Sequence, residues 1–593
     1  LDLRHGLPRN SDAARSFADG VARMRAYDAV GARAAFERAV AADPQFALAY
    51  GELSDAYSCL GYDDRAAAAA RRGFEISGGL PRAEKVLLEA KYHQRSHRFK
   101  DAIDLYRTLV AQFPDDPEHR VRLVNAMLED SRGAEATAEV AAMRKMHGAF
   151  DADPRVDLLD AQAADVFSDH KRMLASADRS IAKARAMQNR DVLGEALIWR
   201  AWALAMLSHA PESLAAFEEA EELFAASGNR VGVAKSLRKR SFVYWRRGEL
   251  DEARRLSERA LKIYRELGQQ LGMASSIGGI GVMLNSQGDH TAARQRFTEA
   301  LEIYRRIGDR QNIAWALSSI AGTHLMQNEV ATAIREYEEA LAQARQLGDI
   351  EQTANSLANV SGAYATQGDL AKAEASLKEA TELFRKNADR SMVAACELEL
   401  GNLAYRRGDL RGARAYYDRT LKEHREMGER GGTADDQRAL AQLDLDEGNP
   451  TSALANATAA ASEYEAEGRP ADRVRALLLA ARANTELGRA AEGRNVLVTT
   501  RKLMSAVQDP EVAIYFDVEQ ARYDRDAAAL ERAVARAHRE KLIEAELDAR
   551  LALAQVELRL GHTVSARARA AALAKEATAR GFGLIARQAG ALL

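Results

Sequence analysis

Through the middle of the chain, apolar residues recur at steps of three and four. Most such stretches are closed by a glycine or asparagine among polar neighbours. The segments RRGELDEARRLSERALKIYRELG and SQGDHTAARQRFTEALEIYRRIG show the unit twice. This spacing is that of an α-helix with one buried face. Gly228, Gly268, Gly308, Gly348, Gly428 and Gly468 fall on a 40-residue grid, with Ala388 in the remaining slot. A second grid runs through Gly248, Gly288, Gly368, Gly408, Gly448 and Gly488, with Asn328 completing it. Glycine or asparagine after a run of helix formers takes the left-handed backbone that ends a helix. Two stops per period therefore predict two helices per repeat. A third grid, Ala253, Ala293, Ala333, Ala373, Ala413 and Ala453, lies early in the second helix, where a larger side chain would hold neighbours apart. A fourth, Tyr264, Tyr304, Phe384 and Tyr464, supplies apolar mass near that helix's end.

Composition agrees. Ala, Leu, Glu and Arg dominate, and proline is only 10 of 593 residues. These side chains lose little freedom in a helix. Length alone would suggest about four domains, but a repeat array grows along one axis without enlarging a single core.

The residues now carry a resemblance. Ala32, Phe36, Ala39 and Pro44, then Ala102, Tyr106, Leu109 and Pro114, resemble the tetratricopeptide repeat (TPR): small residue, aromatic, small or apolar residue, terminal proline. The 40-residue units look like the longer form of the same motif. The resemblance implies an all-α, right-handed superhelix of about thirteen helix-turn-helix repeats, with first helices lining a concave groove. The division expected is 1–116, N-terminal TPR units of about 34–36 residues; 117–190, irregular helical repeats; 191–470, regular 40-residue units; and 471–593, degenerate repeats and capping helices.

The formal net charge of -3 mixes both signs. Neither a nucleic-acid footprint nor a polybasic membrane patch results. Two distant cysteines, Cys59 and Cys396, fit a reducing compartment or a periplasm without bridges. No apolar run reaches the roughly 18 residues that span a bilayer, and no signal peptide is expected in this stretch. Direct membrane insertion by this chain is not expected. The first residue is Leu1, so the chain reads as a fragment or part of a longer one. The compartment is left open: cytoplasmic, or periplasmic if a transmembrane helix precedes.

Catalytic motifs are scarce: no P-loop, no HExxH and no serine-hydrolase elbow. Gly278, Gly279 and Gly281 form GGIG inside a first helix, which suits close packing better than phosphate binding. His93 and His97 are four apart and could face one metal, but no third ligand is visible, and in TPR register His93 takes a buried position. Acidic pairs such as Glu338 and Glu339 read as solvated helix faces. No catalytic residue, metal or cofactor is expected.

The tryptophans are more informative. Trp199, Trp202, Trp245 and Trp315 all lie in first helices. The register that TPR resemblance implies places Trp202 and Phe242 in one groove-facing row, and Trp245 and Asn285 in another. Lys235, Arg238 and Arg246 join them, with Trp315 further along. Aromatics and arginine on an exposed groove are what binding hot spots are made of. The rival is that they only fill the interior, which suits Trp199 best. KSLRKR, residues 235–240, is the densest basic cluster. It suits an acidic peptide or phosphate, or simply a solvated face.

The opening segments resemble the C-terminal TPR regions of bacterial eukaryotic-like serine/threonine kinases or membrane-anchored winged-helix regulators. No kinase residue is present here. The expected function is a non-catalytic scaffold or sensory module. It would bind a protein or peptide in the concave groove and form part of a larger bacterial signalling protein. The alternatives are a small-molecule sensor and a self-association module giving a homo-oligomer; no nucleic-acid partner is expected.

Overall fold

The computed structural model describes residues 8–25, 28–130, 132–146, 148–347, 350–507 and 509–593. Leu1 and the grid position Gly348 lie outside these. The described residues hold 32 α-helices, two short 3-10 turns and no strand. Apart from the four-residue Ala149–Ala152, the helices from Ser11–Arg25 to Thr563–Ala579 fall into fifteen successive pairs, and Gly583–Gly590 closes the series. The grids suggested about thirteen; the stretches where they blur still fold as pairs.

Both turn grids are left-handed. Gly228, Gly268, Gly308, Gly428 and Gly468 have φ between 68° and 80°. Asn328 (φ 60°) and Ala388 (φ 56°) adopt the same conformation without glycine's freedom. The backbone period also extends further than the glycines show. Ser168, Gln188 and Ser208 keep the spacing before the regular repeats, and Lys541, Gly561 and Gly581 resume it afterwards.

The alanine column Ala253, Ala293, Ala333, Ala373, Ala413 and Ala453 is fully buried, as are Phe224, Tyr264, Tyr304, Phe384 and Tyr464 at the helix ends. The buried rings explain a helical glycine: a Cβ on Gly194 would stand 2.6 Å from Phe224. Gly281 of the GGIG segment is likewise pressed on Phe297, at 2.7 Å.

The chain forms two compact units. The first comprises 1–245, 249–283 and 296–313; the second comprises 246–248, 284–295 and 314–593. Each unit also touches itself far along the chain. In the first, Gln269 Nε2 donates to Asp63 Oδ2 at 3.1 Å. In the second, Gln588 Nε2 of the closing helix donates to Asp446 Oδ1 at 3.0 Å, Arg587 donates to the Gly408 carbonyl, and Arg406 pairs with Glu544 at 2.8 Å. Among the described residues no helix is long and apolar enough to cross a membrane.

Candidate functional site

Two first helices of consecutive repeats, Arg190–Met206 and Arg230–Arg246, build the candidate site in the first unit. Each starts on an asparagine cap: Asn189 accepts from the Val192 amide at 3.1 Å and Asn229 from the Gly232 amide at 3.0 Å. Phe224, from the helix between them, lies against Gly194 and Gly232, which fixes their spacing. On the second helix Lys235, Arg238, Lys239, Phe242 and Trp245 follow the three- and four-residue steps of one face.

Their side chains meet. The Trp202 and Phe242 ring centroids are 5.0 Å apart and those of Phe242 and Trp245 5.3 Å, a half-buried aromatic ladder. Trp202 Nε1 donates to Asp165 Oδ1 at 3.0 Å, fixing the indole. The Lys239 ammonium stands 4.0 Å from the Trp202 ring centroid and 4.9 Å from that of Trp199. A cation over an indole face gains from the ring's negative quadrupole. Lys235 is paired with Glu195 at 2.8 Å. Arg238 lies beside the Tyr264 hydroxyl.

Electrostatics separate the two lysines. Burial pushes the Lys239 ammonium down to about 8; Asp165 opposes this, while Arg238 and Lys235 add to it. Lys235 is held above its ordinary value by Glu195. Asp55 is held well below the usual carboxylate range: burial opposes ionisation, but Lys91 at 2.9 Å and Arg122 at 2.6 Å outweigh it.

Of the eight residues singled out from sequence, Trp202, Lys235, Arg238, Phe242 and Trp245 lie in the first unit. The other three belong to the second. There Arg246 lies 3.5 Å from Glu467, Asn285 Oδ1 lies 2.7 Å from His290 Nδ1, and Trp315 is 37 % exposed. His93 is buried against Tyr92, and His97 takes a left-handed turn against Phe99. Sequence reasoning left out Lys239 and set Trp199 aside as packing. Lys239 was within the basic KSLRKR segment, four residues from Lys235 and so on its face. Its seat over two tryptophans from the preceding repeat is a tertiary fact with no local signal.

Stacked helix pairs with a patterned inner face define a helical-repeat scaffold, a class whose surface serves to hold partners. One tetratricopeptide-repeat family model matches residues 195–266, 231–306, 272–346 and 312–386, and a second matches 87–154 and 398–434. The chain belongs to the tetratricopeptide-repeat family. It is similar to a Rap protein complexed with competence and sporulation factor (14 % identity, 58 % of this chain and 99 % of that one, TM-score 0.42). It is also similar to aspartyl phosphate phosphatase F from Bacillus subtilis (13 %, 58 % and 93 %, 0.37). A third likeness is to the anaphase-promoting-complex hetero-tetramer Cut9–Hcn1 (12 %, 92 % and 94 %, 0.45). No curated protein sequence matches this chain.

Proposed function

We propose that this protein is an interaction scaffold that holds a protein or peptide segment against the inner face of its first unit, with Trp202, Phe242 and Trp245 as anchors and Lys235, Arg238 and Lys239 selecting an acidic ligand. The carrying observation is Lys239. Its ammonium rests on two indoles and has no hydrogen-bonded carboxylate among the described residues. An incoming carboxylate or phosphate would complete that charge, and an aromatic or apolar side chain would extend the ladder. The resemblance of the opening segments to TPR arms of bacterial kinases and regulators supports a place in a larger signalling protein.

The test is affinity for a captured protein or peptide partner. Changing Trp245 and Arg238 together to Ala weakens binding by about 2–4 kcal/mol on this reading, as hot-spot truncations do. Unchanged affinity in a folded double variant removes the site. A small-molecule sensor is the second reading. It is favoured by a half-open cleft of about 720 Å³ in the first unit, lined by Asp28, Val30, Leu60, Arg190, Asp191 and Ser227. A metabolite that fills it raises the melting temperature; no shift from any metabolite, beside a captured protein partner, rejects it.

A further inference from the structure

Away from the aromatic ladder, the Gly133–Lys145 and His170–Ala186 helices both rest on Pro154–Val166. On that shared floor Asp157 and Asp160 are buried, their side chains 3 % and 1 % exposed. Four cations converge on them. Arg144 reaches Asp157 at 2.7 Å and Asp160 at 3.0 Å. Arg179 reaches them at 2.9 and 3.4 Å. Arg172 meets Asp160 at 2.5 Å and Lys183 meets Asp157 at 2.7 Å. Both carboxyls are held below their usual range: burial opposes ionisation, and the cations prevail.

The charges do not balance. Among the described residues two buried carboxylates face four cations, whose outer nitrogens stay hydrated and carry a net positive charge at one spot. Arg179 Nη2 also donates to Ser176 Oγ at 2.8 Å, and three guanidiniums and one ammonium still carry more N–H donors than these partners accept. Arg144 uses a single nitrogen, Nη2, for both carboxylates, which leaves the rest of its donor fork free of them. The surplus opens to solvent, since Arg144 is 38 % and Arg179 48 % exposed. The acids thus act as a floor that holds the cations convergent.

We propose that Arg144, Arg172, Arg179 and Lys183 form a binding site for a phosphate monoester carried by a protein partner. The surplus of two positive charges matches a phosphate monoester, which carries about -1.5 to -2 at neutral pH and offers three strong acceptor oxygens. Guanidinium forks fit those oxygens in pairs. The compactness of the cluster argues for one such group rather than a nucleic-acid backbone, which takes cations repeated along a stripe. This site stands independently of the ladder and its acidic ligand.

The experiment uses the full chain and fluorescence anisotropy of a labelled phosphoserine peptide with uncharged flanks, beside its unphosphorylated twin. The phosphopeptide binds and the twin does not. R179Q weakens binding about tenfold, the loss of one charge-assisted contact, and R179K recovers part of it. D157N, which removes a negative charge from the floor, tightens binding. A purely structural cluster behaves differently: both variants lower the melting temperature and neither alters phosphopeptide affinity, which overturns the proposal. Equal binding of the twin overturns it, as does binding of a DNA duplex without the phosphopeptide. Inorganic phosphate competes at matched ionic strength; phosphate binding as tightly as the peptide makes the free ion the ligand and overturns the partner.

Discussion

His424 stands where the neighbouring repeats carry Tyr264, Phe384 and Tyr464, and it packs as they do, with Gly432 lying against its ring. Twelve residues on, Asp436 occupies the position of Ser236, Ser276 and Ser356. The exchange plants a buried ion pair in an apolar column: His424 Nδ1 lies 2.6 Å from Asp436 Oδ2, and Thr420 Oγ1 donates to Asp436 Oδ1 at 2.6 Å. Burial works against the imidazolium, but Asp436 raises its pKa above 6.5 on balance; burial also raises that of Asp436. A histidine with a raised folded pKa contributes stability that is fully present below 6.5 and lost as pH rises through the raised value. The expected outcome is a melting temperature that falls over that window in the natural chain and stays flatter in a H424F/D436S double variant. D436A alone costs about 3 kcal/mol by stranding the imidazole, whereas the double variant stays within about 1 kcal/mol. A parallel pH profile in both proteins refutes the assignment. The aromatic grid does not reveal this pair, because His424 and Asp436 occupy the slots where its pattern is broken.

At the scale of the helix, the turn decides where each element stops. Ala388 supplies the left-handed residue that glycine provides in sister repeats. A left-handed L-residue costs roughly 1–2 kcal/mol, partly offset because glycine frees the unfolded chain. A388G is therefore expected to raise the urea midpoint, by about 1 kcal/mol of stability. A lower midpoint contradicts this. The same turns show what was legible in sequence. Where the stop is glycine, the period could be read directly. Where it is Ser168, Gln188, Ser208 or Lys541, the backbone repeats but the letters do not, because tertiary stacking enforces the conformation that composition leaves unmarked. The candidate site divides in the same way. The helical face of Lys235, Phe242 and Trp245 follows from spacing alone. The seating of Lys239 over Trp199 and Trp202, and the assignment of Arg246, Asn285 and Trp315 to the second unit, depend on how repeats stack.

Over the whole chain, a tetratricopeptide array is expected to behave as a line of neighbours, each repeat stabilised only by the next. The second unit departs from that. Its closing helix, Gly583–Gly590, bonds to Asp446 and to the Gly408 carbonyl, more than a hundred residues away in sequence. Deleting 583–593 is expected to raise amide hydrogen exchange in Arg390–Arg407 and Arg430–Asp446 as well as in the adjoining Thr563–Ala579. Exchange that rises only in the adjoining helices shows the remote contacts to be idle. No repeat period encodes such contacts, since they join positions in different repeats through side chains that each repeat holds only once.

The Gln588–Asp446 contact also bears on mechanics. A plain stack of helix pairs stretches like a soft spring, because small tilts at every joint add up. Tying a late joint to an early one takes those tilts out of the sum. Under tension the second unit would first resist as a stiff link, yield when the tie parts, and only then lengthen joint by joint.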